Sequence, residues 1–203
     1  HSYQVPSTVK ANATKNANGK ITRKCSVCGK TTTSTLYAPK TVTLSAASYT
    51  YDGKVKKPSV TVKDSKGNKI GSQYYTVSYP SGRKNVGKYT VKVTFKGNYI
   101  GSKSATFAIK PKGTSVSKVN AAKKGFKVTW KKQATQTTGY EVQYSTASNF
   151  KKGNKTVTVS KNKTTSKSVG KLSAKKKYYV RVRTYKTVKV NGKNVKFYSG
   201  WSK

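Results

Sequence analysis

Acidic residues are nearly missing from this chain: Asp52, Asp64 and Glu141 are the only three in 203 residues, against 44 lysines and arginines. A hydrolytic pair needs two carboxylates in one cleft, and three acids spread over separate turns and strands do not supply one. Histidine occurs once, at His1, which removes a Ser-His-Asp arrangement. Serine and lysine are so abundant that their presence marks no dyad, and there is no glycine-rich phosphate loop. These gaps predict a protein that is not an enzyme and needs no organic cofactor. No run of about 18 apolar residues exists, so no membrane-spanning helix is expected. Methionine is absent even from position 1, no signal peptide precedes His1, and the chain opens in mid-pattern. That predicts a mature or excised fragment. Two cysteines, Cys25 and Cys28, are too few for a disulfide framework.

What is present is lysine and a strand-forming pattern. The formal net charge is +41, which a folded domain tolerates only with its lysines on solvated faces. From about residue 41 onward, apolar and polar residues alternate. Tyr89, Val91, Val93 and Phe95 point one way, and Lys88, Thr90, Lys92, Thr94 and Lys96 the other. The pattern recurs in Phe126–Trp130, Tyr140–Tyr144 and Tyr178–Val182. Turn residues fall between these runs, at Asp52-Gly53, Asp64 to Asn68, Gly97-Asn98 and Asn191-Gly192. Asp52 and Asp64 therefore read as turn caps. Glu141, between Tyr140 and Val142, is expected to face solvent. An intramolecular Lys–Asn isopeptide bond needs a buried acid beside it, so none is expected. No helical period persists beyond a turn or two.

Breaks at Pro39-Lys40 and across Pro111-Lys112-Gly113 divide the chain into 1–39, 40–111 and 112–203. In the third segment Trp130 ends an early strand, Gly139–Tyr144 forms another, and Leu172 precedes Tyr178, Val180 and Val182. The segment closes on Tyr198-Ser199-Gly200-Trp201-Ser202. With these residues it resembles a fibronectin type III domain, Tyr198–Ser202 matching the last strand. The second segment, with Tyr51-Asp52-Gly53-Lys54 and Asn85-Val86-Gly87-Lys88-Tyr89, looks like a bacterial immunoglobulin-like repeat of clostridial and other Gram-positive surface proteins. The first is similar to a short Cys-x-x-Cys module, zinc-ribbon-like in its fuller versions, that precedes such repeats. The expected fold is all-β: tandem immunoglobulin-like sandwiches behind a small N-terminal β-hairpin knuckle. The resemblance implies a secreted, cell-surface or cell-wall-associated modular protein.

Two candidate sites follow. Cys25 and Cys28 could hold Zn²⁺ with His1 and a fourth ligand. A disulfide or thiol pair and a plain structural turn are equally open readings, and a terminal His1 could chelate copper. The other site is the lysine array. Lys88, Lys92, Lys96, Arg181 and Arg183 lie at outward positions of strands and are the expected polyanion contacts. A single-sign surface attracts nucleic acid, anionic cell-wall polymer and acidic glycan alike, with steep salt dependence. The function expected is a non-catalytic structural or adhesive module, with head-to-tail self-assembly as one mode of use. The alternative is a dedicated binding module for anionic polymers.

Overall fold

Lysine and threonine alternate with valine, tyrosine and phenylalanine along most of the chain, and a pleated strand sends the two sets to opposite faces. A computed structural model describes residues 8–11, 13–14 and 16–203. The strands run β1 Thr8–Ala11, β2 Ala13–Thr14, β3 Gly19–Lys24, β4 Thr31–Leu36, β5 Pro39–Leu44 and β6 Ser48–Thr50. They continue as β7 Val60–Asp64, β8 Tyr75–Ser78, β9 Gly87–Phe95, β10 Tyr99–Ile100, β11 Ser102–Lys110 and β12 Val116–Ala122. The last six are β13 Gly125–Trp130, β14 Gly139–Ser145, β15 Lys155–Val159, β16 Ser166–Val169, β17 Tyr179–Val190 and β18 Lys193–Tyr198. A single 3-10 turn, Ser72–Tyr74, is the one helical piece among the described residues. The fold is all-β, as the alternation predicts.

The chain forms two compact units. The first takes residues up to Ala47, Lys57–Ser81 and Tyr89–Phe107, and the second Ser48–Lys56, Gly82–Lys88 and Ala108–Lys203. In the first, β3 lies between β1 and β4, β5 pairs antiparallel with β7, and β8 pairs antiparallel with β9. The short strand β2 adds in parallel to β10, with Ala13 opposite Tyr99. Ala13 is fully buried and packs in one cluster with Val62, Ile70, Tyr75, Val93, Phe95 and Tyr99. Residues near the start of the chain thus share a core with residues more than 80 positions later. Tyr74 meets Tyr99 edge-on at 5.4 Å, the geometry that the ring quadrupoles favour.

In the second unit, residues 116–198 form a seven-stranded, two-sheet sandwich. One sheet is ordered β12-β13-β16, the other β15-β14-β17-β18. Phe126, Val128, Trp130, Tyr140, Val142, Leu172 and Val182 are buried between the sheets, with Tyr178 and Val180 half-buried against them. Tyr140 carries a polar handle inward, so its hydroxyl must be satisfied. It donates to the Asn162 carbonyl at 2.9 Å and accepts from the Gln133 N–H at 2.8 Å. Trp130 packs on its ring at 5.2 Å. Asn191 and Gly192 both take positive φ, +50° and +77°, closing β17 onto β18 with a turn whose twist matches the strands.

Candidate polyanion surface, arginine ladder and cysteine turn

The lysines on β9 and just past its end lie where the alternation puts them. Lys88, Lys92 and Lys96 are exposed, while Val91, Val93 and Phe95 on the other face are buried. Lys88 and Lys92 are four residues apart, which places them about 13 Å apart along a strand. Across the ladder Lys92 faces Ser78 and Thr94 faces Thr76, so the outward side of this pairing is ammonium and hydroxyl with no carboxylate.

Each carboxylate is engaged. Asp52 caps its turn by accepting from the Lys54 N–H at 2.9 Å and pairs with Lys56, four residues on. The Lys56 hydrogen bond, and then that of the Lys54 backbone, holds its carboxyl below the ordinary value. Asp64 accepts from the N–H groups of Lys66 and Asn68, each at 2.9 Å. Both behave as the Asx caps that their turn positions predict.

Glu141 overturns the expectation of a solvent-facing side chain: it is buried, 6% exposed. Alternation sends it to the outer face of the β15-β14-β17-β18 sheet, as expected, but that face is covered. Register sets Glu141 opposite Arg183 and Gln143 opposite Arg181. Arg183 donates twice to one Glu141 carboxylate oxygen, at 2.7 and 3.0 Å. Arg181 donates to Gln143 Oε1 through Nε at 2.8 Å and through Nη2 at 2.5 Å.

The two guanidiniums stack between aromatic rings. Arg181 lies 4.0 Å from the Phe150 ring centre and 4.7 Å from Trp201; Arg183 lies 4.3 Å from Trp201 and 3.8 Å from Tyr198. The order is Phe150, Arg181, Trp201, Arg183, Tyr198, a cation–π ladder with Trp201 shared by both cations. Burial, followed by repulsion from Arg183, lowers the Arg181 pKa, and burial followed by the Glu141 charge raises those of Tyr185 and Tyr198. Arg181 and Arg183, expected as outward polyanion contacts, are therefore only partly exposed and are committed to protein partners.

The chain's end makes the ladder possible. Tyr198–Ser202 was expected as a strand, but β18 stops at Tyr198. Beyond it, serine hydroxyls take the place of ladder amides. Ser199 Oγ accepts from the Thr184 N–H and Ser202 Oγ from the Val182 N–H, both at 3.0 Å. The N–H groups of Ser199 and Ser202 in turn reach the carbonyls of Thr184 and Val182 at 3.1 and 2.8 Å. Two residues of chain are thereby freed from the pleat, and Trp201 lies across both arginines. The available signal was the pairing of Arg181 and Arg183 with Glu141 and Gln143 at matching two-residue spacing, and alternation alone does not reveal that register.

Cys25 and Cys28 sit on the turn between β3 and β4. The Cys25 N–H donates to the Lys30 carbonyl at 2.7 Å and the Gly29 N–H to the Cys25 carbonyl at 3.1 Å. Cys25 is buried and Cys28 exposed. His1 lies outside the described residues. Among the described residues no three His, Cys, Asp or Glu side chains gather as a metal site needs. Of the four ligands of a closed zinc site, the described residues supply two at this turn, Cys25 and Cys28.

A fibronectin type III domain and an MBG domain are found in this chain. The first matches residues 109–197 and the second residues 40–113. Fibronectin type III domains are generally non-catalytic structural modules and typically extracellular, which agrees with the shortage of acids and histidine. No described helix is long and apolar enough to cross a membrane. Among solved structures the chain is similar to chicken CNTN1 FN1-FN3 domains, at 15% identity over 90% of this chain and 77% of that one, with a TM-score of 0.35. No curated protein matches the chain.

Proposed function

We propose that this chain is a non-catalytic structural and adhesive segment of a secreted bacterial surface protein, holding anionic polymers of the cell wall or matrix through its lysine faces. The three-part reading, a Cys-x-x-Cys module at 1–39 and two sandwiches at 40–111 and 112–203, gives such a segment reach and spacing. Head-to-tail addition of modules would extend it.

The observation that carries the proposal is the outward face of β9. Lys88 and Lys92 stand exposed on it with Lys96 just past its end, and every carboxylate of the chain is engaged elsewhere. Ordinary solubilising surfaces mix signs, whereas this one presents a single sign to any polyanion. Catalysis has no support among the described residues, which hold no histidine and no paired carboxylates.

The test is binding of the full chain to wall polymer, sulfated glycan and DNA across a salt series. Affinity should fall steeply with salt for all three, and Lys88→Gln, Lys92→Gln and Lys96→Gln together should flatten the log–log slope by about 0.9 per lysine that contacts duplex DNA. Salt-indifferent binding, or no binding at low salt, would overturn the proposal.

A further inference from the structure

One end of the second unit concentrates charge more tightly than β9 does. The turn between β12 and β13 carries Lys123 and Lys124, and the loop between β16 and β17 carries Lys171, Lys175, Lys176 and Lys177; all six are exposed. The two loops are fastened together, because the Leu172 N–H donates to the Lys124 carbonyl at 2.9 Å. Leu172 itself is buried in the sandwich core, and the Ser173 N–H reaches the Tyr178 hydroxyl at 3.3 Å. A cavity of about 190 Å³ opens between the loops, lined by Ala121, Lys124, Ser173, Lys175, Lys176 and Tyr178 among others. Six ammonium groups are thus mounted on a short, anchored piece of backbone.

The backbone here is also unusual. Lys124, Lys171 and Lys175 take φ of +48°, +59° and +54°. A left-handed conformation is uncommon for a residue with a β-carbon, and glycine or asparagine would relieve it. Six described non-glycine residues have positive φ, and half of them are these lysines, all at this one end. Lysine stands at three positions whose geometry favours other residues, which points to a role for the side chain.

Resting on the polyanion reading above, we propose that this end is the principal anion site of the chain and that its ligand is a flexible, base-free phosphate polymer. The ammonium group is a compact, strongly hydrated point charge, suited to a dense tetrahedral oxyanion approached from any direction. Carboxylates and guanine edges are better met by the planar fork of arginine, and this end has none. Base stacking lacks a platform: the Tyr144 ring is buried, Tyr178 packs on it at 6.3 Å, and Lys177 already lies over Tyr179 at 5.2 Å. A stiff duplex, with a persistence length of about 50 nm, touches only part of a cluster set at a domain end, whereas a flexible chain folds over it.

Three full-length proteins decide the matter, with long-chain inorganic polyphosphate as the probe and single-stranded DNA and a sulfated glycan as rivals. One is the wild type. The second carries Lys123→Gln, Lys124→Gln, Lys171→Gln, Lys175→Gln, Lys176→Gln and Lys177→Gln. The third has the same net charge as the second and carries six substitutions at exposed positions elsewhere on the unit: Lys118→Gln, Lys131→Gln, Lys132→Gln, Lys161→Gln, Lys163→Gln and Lys189→Gln. Polyphosphate should bind the wild type most tightly of the three ligands. The log–log salt slope of the end variant should flatten by about 0.7 for each contacted lysine, and that of the charge-matched variant by less than about 1 in all. Equal losses in the two variants overturn the site while leaving the polyanion reading intact; a wild type that binds none of the ligands overturns both. Tighter binding of the DNA or the glycan overturns the phosphate assignment. Amine-labelling of the wild type supplies a measurement free of any folding defect. Polyphosphate should protect Lys123, Lys124 and Lys175–Lys177 first, and uniform protection refutes the site.

Discussion

Replacing Glu141 by alanine probes the least expected feature of the molecule, a buried ion pair in a protein with almost no acids. The substitution leaves the Arg183 guanidinium held between Tyr198 and Trp201 with its carboxylate gone. Removing one partner of a buried pair costs about 3–5 kcal/mol. The Arg183 side chain is 25% exposed and the Glu141 side chain 8%, so solvent recovers part of that loss, and about 2–3 kcal/mol is expected. Both tryptophans, Trp130 and Trp201, lie in the second unit, so denaturant unfolding followed by tryptophan fluorescence reports that unit alone. At about 4–8 °C per kcal/mol for a domain of this size, melting should drop by roughly 10–20 °C. The loss should persist in high salt, where exposed pairs are screened. Tyrosine titration gives an independent readout: the Glu141 charge helps raise the Tyr185 and Tyr198 pKa values, so both should fall toward the ordinary 10.0 in the variant. A cost below about 0.5 kcal/mol, or one abolished by salt, would mean that the pair behaves as an exposed surface pair and would refute the burial argument.

Trp130→Ala should cost about 3–5 kcal/mol, because a large ring is removed from a packed core; fluorescence-detected unfolding measures it, and a loss under 1 kcal/mol contradicts the packing. Alkaline pH should destabilise the second unit. Tyr185 and Tyr198 have folded-state pKa values above the unfolded 10.0, so their contribution is whole below pH 10.0 and is lost as pH rises through the raised values. Ultraviolet absorbance should show them ionising after the exposed tyrosines and together with unfolding. A chelator should leave the melting of the first unit unchanged, because β2 pairs with β10 and Ala13 packs in the core beside Val62, Tyr75 and Tyr99. A drop of several degrees, with zinc released, would restore the zinc reading of Cys25 and Cys28.

Much of the second unit was legible because strand burial follows a two-residue period. Phe126, Val128, Trp130, Tyr140, Val142 and Val182 all face the core as their alternation predicts. The turn chemistry was legible for a local reason as well: Asp52, Asp64 and Asn191-Gly192 act through residues within four positions of themselves. Glu141 was misread because alternation assigns a face without saying what covers it. Arg181 and Arg183 were misread for the same reason, their partners Phe150, Tyr198 and Trp201 coming from other parts of the chain.

By itself, then, the sequence determined the all-β class, the inward set of each strand, the positions of the turns and a charge that only solvated faces can carry. Those properties depend on neighbours in the chain and on composition. Tertiary structure alone decided which outward residues stay in water. The β14–β17 register set Glu141 against Arg183, and the serine ties at Ser199 and Ser202 brought Trp201 over both arginines. Only in three dimensions did the Leu172–Lys124 hydrogen bond gather six lysines from two loops at one end. Register and loop docking depend on contacts between residues far apart in the chain, and a one-dimensional period of two carries no information about them.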